Sequence, residues 1–254
     1  MIRSVYQTAM GMLVQQKKQE NHAHNLANVE TAGYKAKTLA AEASFSETLV
    51  NHGGGGNGPV ILGQLPLGVR LSGYEVQWKQ GTLIETGNSM DFALEGEGFF
   101  AFESSLGMVL ARNGELHQNS EGVWVDKSGY PLLCIERDGS AAPIQTLPGE
   151  KWSVGSEGDL LVDGSFSGKI MVLKPEDPSQ LVLLDGGYVQ TPANNLTPSI
   201  ETWIHQGSLE SSNVDSVSTM VDLMATGRLL QSQQKVLNTL DETLNRAVNE
   251  IGKL

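Results

Sequence analysis

Residues 220–251, MVDLMATGRLLQSQQKVLNTLDETLNRAVNEI, decide how this chain is read. Met220, Leu223, Gly227, Leu230, Gln234, Leu237, Asp241, Leu244, Val248 and Ile251 recur at alternating spacings of three and four, the repeat of a coiled-coil seam. Seven of these ten are apolar, while Arg228, Lys235, Glu242, Arg246 and Lys253 fall off the stripe. The same repeat returns at the other end of the chain, through Ile2, Val5, Ala9, Met12, Gln16, Gln19, Ala23 and Leu26. Arg3, Lys17, Lys18 and Glu20 lie off that stripe. The two repeats predict helices from Ile2 to Asn28 and from Ser212 to Leu254. Ser212 followed by Asp215 resembles a capping box with Asp in place of the usual Glu. Gly33 and Tyr34 stop the first helix, with Thr31 and Ala32 in the turn.

Such stripes also line the inner faces of ordinary core helices, so pattern alone leaves both readings open. The N-terminal stripe is thin. Every ordered residue loses backbone entropy, Ala9 and Ala23 bury little apolar surface, and Gln16 and Gln19 need partners wherever they are covered. That helix is expected to order against something outside itself.

Between the helices the chain changes character. Ala41–Val50 is ambiguous by pattern and compatible with a short helix, and residues 52–59, with four consecutive glycines, read as a flexible linker. No Gly-Lys-Ser/Thr follows those glycines, so a phosphate-cradling loop is not indicated. From about Gly73 short β-prone runs alternate with turn signals. Met90–Leu94 and Phe99–Phe102 flank Gly96 and Gly98, and Asn113-Gly114 marks a hairpin between Met108–Arg112 and Leu116–Gln118. Val123–Val125 and Leu132–Ile135 flank Ser128-Gly129. Asp138-Gly139, Asp163-Gly164 and Asp185-Gly186 punctuate further strands at Leu160–Val162, Ile170–Leu173 and Leu181–Leu184. The fold expected is α+β: long N- and C-terminal helices form a coiled-coil-like stem around a central all-β domain, an antiparallel sandwich or distorted barrel. The divisions expected are an N-terminal helix and turn over 1–35, a Gly-rich linker or extension over 36–72, the β domain over 73–206 and the C-terminal helix over 207–254.

The net charge of -12 argues against nucleic acid as a partner. Its distribution is uneven: residues 1–40 hold five Lys/Arg and two Asp/Glu, residues 41–207 eight and twenty-one. The basic N-terminal segment is suited to an acidic surface on a neighbour, though salt screens such contacts. Cys134, the one cysteine, sits in the apolar run 131–135 and reads as a buried, inert thiol. No apolar run approaches the ~20 residues that span a bilayer, and the first residues lack the core of a secretory signal. By these marks the chain is expected in the cytoplasm unless it is exported without a cleaved signal.

Motifs for chemistry are sparse. His22 and His24 are two apart and point to different sides of a helix; His52, His117 and His205 stand alone. Asp159 and Asp163 bracket a strand, and paired carboxylates serve glycoside cleavage, but Asp also ends hairpins for turn reasons. A rival reading is a secreted carbohydrate-binding or glycan-cleaving β module with helical arms, using Trp78, Trp124, Trp152 and Trp203 as stacking platforms. A plain homomeric helical bundle is a third. No nucleophile elbow, zinc-binding His pair or Cys/His cluster appears, and no catalytic residue, cofactor or metal is expected.

Asn25-Leu26-Ala27-Asn28-Val29-Glu30-Thr31-Ala32-Gly33-Tyr34-Lys35 closely resembles the N-terminal signature of flagellar rod and hook proteins, matching its polar, small, glycine, aromatic and basic positions together. Ser89–Phe100, with Gly96 and Gly98, resembles the family's lead into its β domain, Ala111-Arg112-Asn113-Gly114 echoes another of its phrases, and Gly207–Asp215 resembles the lead into its C-terminal helix. His24 departs from the pattern, standing where many relatives carry Asn. The resemblance covers about half the chain; residues 140–200 are not diagnostic.

The resemblance implies a non-enzymatic axial subunit of the bacterial flagellar basal-body rod, involved in motility, exported by the flagellum's own type III apparatus and located outside the cytoplasm without a cleaved signal peptide. Its implied partners are other copies of itself and other rod or hook proteins, with no membrane insertion. Thr8–Gly11 and Asn213–Ala225 lean toward the proximal-rod rather than the distal-rod type. The residues implied in assembly are the signature positions Asn25, Leu26, Ala27, Asn28, Thr31, Gly33 and Tyr34, together with the helix positions Ile2, Val5, Ala9, Met12, Leu26, Met220, Leu223, Leu230, Leu237, Leu244, Val248 and Ile251.

Overall fold

A computed structural model describes residues 2–51, 60–105, 107–147, 149–191, 196–199 and 201–251. The fold is α+β and mostly strand, with one long helix near each end. Two compact units share the chain: Met1–Ala27, Ala36–Gln77 and Asp215–Leu254 make the first, Asn28–Lys35 and Trp78–Val214 the second.

In the first unit α1 spans Ile2–Ala27 and α2 spans Ser216–Arg246, continued by a π-helical turn at Ala247–Ile251. The cap of α2 is Asp215, whose carboxylate accepts from the amides of Val217 at 3.0 Å and Ser218 at 3.3 Å. The helix therefore starts later than the expected Ser212, whose hydroxyl instead accepts from the Val214 amide in the lead. An acidic oxygen at this end also meets the positive pole of the helix dipole.

The two helices pack on each other and run antiparallel. A side-chain carbon at Gly11 would lie 3.1 Å from Gln233 Nε2, and one at Gly227 would lie 4.0 Å from Gln19 Nε2, so α1 advances as α2 recedes. The N-terminal helix, expected to order against something outside itself, thus packs against α2 of its own chain. The face that α2 turns inward runs Thr219, Leu223, Thr226, Leu230, Gln233, Leu237, Leu240, Leu244 and Ala247. Leu223, Leu230, Leu237 and Leu244 keep their expected place on the seam, but the positions between them fall one residue earlier. Met220 and Val248 turn outward at 45% and 68% exposure. Threonine explains the offset: Thr219 and Thr226 return their hydroxyls to the carbonyls of Asp215 and Asp222, at 2.6 and 2.9 Å, and so face a partner helix without an orphaned donor.

On α1 the expected stripe residues Val5, Ala9, Met12 and Leu26 are half-buried, whereas the buried side chains are Val14, Asn21 and Asn25. Asn21 and Asn25 lie one turn apart, and both amides donate to the Lys37 carbonyl, at 2.6 and 2.8 Å. Asn25 Oδ1 also accepts from the Lys37 amide at 3.1 Å. That grip starts a long antiparallel hairpin, Lys37–Asn51 with Val60–Val76, registered from Lys37↔Val76 to Asn51↔Val60. Ala41–Val50 is therefore strand rather than helix, and the segment expected as a linker is extended sheet over its described part. Non-local pairing overrides weak local propensity here. The glycine-rich run 52–59 lies outside the described residues.

The second unit holds two main antiparallel sheets. One orders its strands Val182–Leu183, Val189–Gln190, Gly107–Ala111, Phe99–Ser104, Val172–Pro175 and Leu196–Pro198; the other, Ala141–Pro143, Leu133–Glu136, Ser165–Ile170, Asp159–Val162 and Trp152–Val154. Three ribbons complete it: Phe92–Glu95 with Trp203–Gln206, Leu83–Glu85 with Ser208–Glu210, and His117–Gln118 with Trp124–Val125. Phe100 and Phe102 feed a core with Phe92, Trp124, Leu132, Ile170 and Ile204, while Phe99 and Ala101 feed a second with Leu110, Leu173 and Val189. Alternate residues of one strand thus serve two clusters, as the period of a strand requires. No closed barrel forms among the described residues, so the expected sandwich or barrel is realised only as open sheets and ribbons. The expected strand Ile170–Leu173 breaks at Met171, where the chain passes from one sheet to the other.

Asn113-Gly114 is not the tip of the expected hairpin. The strand before it pairs with Phe99–Ser104, and the chain after it turns to bridge Asp91 through Glu115. Glycine is needed there for proximity: a Cβ at Gly114 would lie 2.0 Å from the Phe92 carbonyl oxygen.

Replacing Asp215 by Ala is expected to lower stability by about 0.5–2 kcal/mol, the ordinary worth of an N-cap. Amide exchange of residues 216–219 should quicken while that of the second unit is unchanged, and unchanged exchange at 216–219 would refute the cap's role.

Candidate functional site

The signature turn begins as α1 ends. Asn28 closes it twice, its carbonyl accepting from the Thr31 amide and its Oδ1 from the Thr31 hydroxyl, both at 3.2 Å. The Tyr34 amide then bonds the Thr31 carbonyl. Gly33 has φ +68, and a Cβ there would lie 2.5 Å from the Asn113 amide nitrogen. Only glycine satisfies both the backbone angle and the close approach.

What holds this turn is a carboxylate with no exposed surface on its side chain. Glu210 closes the ribbon strand Ser208–Glu210, and its backbone carbonyl accepts from the Gly33 amide at 2.7 Å. Its Oε1 bonds Lys35 Nζ and the Gly81 amide, and its Oε2 accepts from Arg112 Nε at 2.6 Å. Lys35 also donates to the Lys79 carbonyl at 2.9 Å, which Asn213 Nδ2 shares at the same length. The other nitrogens of Arg112 fasten the carbonyls of Gly96 and Gly98. The signature turn, the Ala111–Gly114 segment, the Gly96–Gly98 loop and the lead before α2 are thus joined through one dry ion cluster.

Burial governs the electrostatics. Desolvation pulls the Lys35 ammonium below its ordinary range, the nearby Arg112 charge adds to this, and the Glu210 carboxylate opposes it. Burial also pushes the Tyr34 phenol up to about 12. The arrangement anchors chain segments, with Lys35 and Arg112 donating to protein acceptors; no group of His, Cys, Asp or Glu suited to a metal occurs among the described residues.

Three of the four tryptophans are placed as core anchors. Trp124 is fully buried, bonds Thr146 and packs edge-on against Trp152, and Trp78 packs edge-on against Phe99; Trp203 alone is half-exposed. Asp163 belongs to a two-residue turn with Gly164, at φ 50 and 80, and accepts from the Lys151 amide. These placements give no stacking platform with a paired carboxylate.

Of the sequence-expected residues, Asn28, Thr31, Gly33 and Tyr34 meet in this second-unit turn, while Asn25, Leu26 and Ala27 belong to α1 in the first unit. The side chains of Ile2 and Ile251 lie outside the description. Sequence reasoning passed over Lys35, Arg112 and Glu210 as a set. A usable signal existed, because each falls inside one of the stretches that carry the family resemblance.

Exchanging Glu210 for Gln leaves two buried cations short of a counter-charge and is expected to cost about 3–5 kcal/mol. All four tryptophans lie in the second unit, so urea unfolding followed by their fluorescence reads this directly; an unchanged midpoint would refute the anchor. Tyr34 keeps its proton in the folded chain up to about 12, whereas an unfolded phenol loses it near ~10. The unfolded state therefore binds fewer protons between those values, and stability falls as pH rises through them. Tyr188, raised by burial and by Asp126, adds to the same loss. Tyr34→Phe should flatten the decline between pH 9 and 11 without abolishing it, which paired urea midpoints would show.

Comparison with known proteins gives the family to which the chain belongs. Residues 205–250 match the family described as flagellar basal body rod FlgEFG protein C-terminal. Across 237 residues the chain is 30% identical to the flagellar basal-body rod protein FlgF of Caulobacter vibrioides, covering 91% of each chain. It is 31% identical over 261 residues to the flagellar basal-body rod protein FlgG of Agrobacterium fabrum, covering 95% of this chain and 96% of that one. Against the protein of the same name in Bacillus subtilis it is 27% identical over 266 residues, covering 98% and 99%. Likeness of this extent, running through both helices and the anchored turn, means that the chain belongs to the family of flagellar basal-body rod proteins, structural and non-enzymatic components of the flagellar basal body.

Proposed function

We propose that this chain is a self-assembling subunit of the rod's axial tube, joined to other copies and to other rod or hook proteins through its terminal helices. The observation that carries the reading is the apolar face that helix pairing leaves in solvent. Val217, Met220, Val221 and Met224 are 71%, 45%, 60% and 63% exposed and form one stripe at helical spacing on α2. Leu13 and Tyr6 are exposed on α1. The pairing also has an internal cost, because Gln233 Oε1 is buried without a hydrogen-bond partner among the described residues, a deficit of about 1–3 kcal/mol.

A helix pair so incompletely covered gains by packing its outer stripes against adjacent protomers, in a coiled-coil-like stem formed between copies. Contacts that repeat without closing build a helical tube. The proximal-rod type is favoured over the distal on Thr8–Gly11 and Asn213–Ala225, and export through the flagellar type III apparatus fits terminal segments held by few buried side chains.

The test is a Val221→Asp, Met224→Asp double variant. Both side chains are solvent-facing, so the monomer should keep its helical circular dichroism and thermal midpoint. Its incorporation into isolated basal bodies should fall below about a tenth of the parent level, and swimming should be lost. Normal incorporation would defeat the reading.

A further inference from the structure

The charge of this protein is divided by unit. The first unit carries nine Lys/Arg and nine Asp/Glu; the second carries eight and twenty, so the whole net charge of -12 resides there. Four of those eight cations nevertheless surround one cavity of about 330 Å³, lined by Lys35, Lys79, Arg112 and Lys174 with Trp78 and Phe99. Its floor is the ion cluster, in which two cations share the single Glu210 carboxylate and one positive charge is left over in a dry setting. At its rim Lys79 is exposed, and half-exposed Lys174 is held by Glu97, whose own side chain is 78% exposed and free to swing aside. Prolines 175 and 178 and the edge-on Trp78–Phe99 pair make the remaining wall rigid and apolar.

We propose that this cavity receives an acidic segment from the second unit of a neighbouring copy of the chain, a carboxylate bridging Lys79 and Lys174 while an adjoining apolar group rests on Trp78. Charge complementarity selects the occupant. A second unit with twelve more acids than bases supplies acidic surface wherever copies assemble, and like-charged units otherwise repel. The carboxylate displaces Glu97 from Lys174 and offsets the field of the unmatched cation beneath. The inference rests on the self-assembly reading and adds to it a polar, salt-sensitive contact between the second units.

A zero-length carbodiimide, which joins an amine only to a carboxylate in contact with it, tests this on the full chain. Equal amounts of ¹⁴N- and ¹⁵N-labelled protein are mixed under assembling conditions, cross-linked and digested. The expected result is mixed-isotope peptides joining Lys79 or Lys174 to an Asp or Glu of residues 78–214, lost above roughly 0.5 M salt as screening predicts. Lys79→Glu with Lys174→Glu should remove those peptides and weaken association about tenfold by sedimentation, with an unchanged urea midpoint. Assembly in which these lysines join only Glu97 of their own copy, or acids of the first unit, overturns the inference and leaves self-assembly standing. Absence of any association between copies overturns both.

Discussion

A single carboxylate removed from water organises the second unit. Glu210 draws together Lys35, Arg112 and the Gly81 amide, and through its carbonyl Gly33 as well. Taking three charges out of water costs several kcal/mol per ion, and only near-complete hydrogen bonding offsets it. The cluster therefore adds modestly to stability and strongly to uniqueness. Any other docking of the 28–35 turn would strand at least one charge, whereas an apolar turn could settle in several places. The proposed assembly, in which the chain's ends meet neighbours, calls for that kind of fixity in the turn that follows α1.

The partners of that carboxylate also mark the limit of what sequence can reveal. Arg112 lies 98 residues from Glu210 and Lys35 lies 175, so no local pattern joins them. Their neighbourhoods were legible only as four separate resemblances, and geometry makes one site of the four. The helices were legible because their signal repeats every turn, and Leu223, Leu230, Leu237 and Leu244 fell on the half-buried face of α2. The alternate seam positions did not, since hydropathy counts Thr219 and Thr226 as polar although back-bonded hydroxyls let them face a helix. Lys37–Val76 gave no local signal for its hairpin. Its strands are fixed by pairing across the glycine-rich run and by two asparagines on α1, contacts that lie outside any short window. Asn113-Gly114 misled for another reason, its glycine answering to the Phe92 carbonyl rather than to a turn angle.

The two units solve different problems with different chemistry. The first is electrically neutral and poorly covered: Thr219 is the single buried residue among the described residues of α2, and large apolar groups stand in solvent along both helices and the hairpin. Neutrality suits surfaces that lose their water on packing, since desolvating unmatched charge would cancel the apolar gain. The second unit buries its own core well and carries the whole charge excess. Exposed charges act over only ~8 Å at physiological salt, so in the proposed assembly that excess is felt chiefly between second units that come close to one another. In that assembly it would hold second units apart except at the proposed cationic recess. The proposed assembly thus combines cohesion in the neutral unit with repulsion in the charged one, a division that follows from where seventeen basic and twenty-nine acidic residues fall along a single chain.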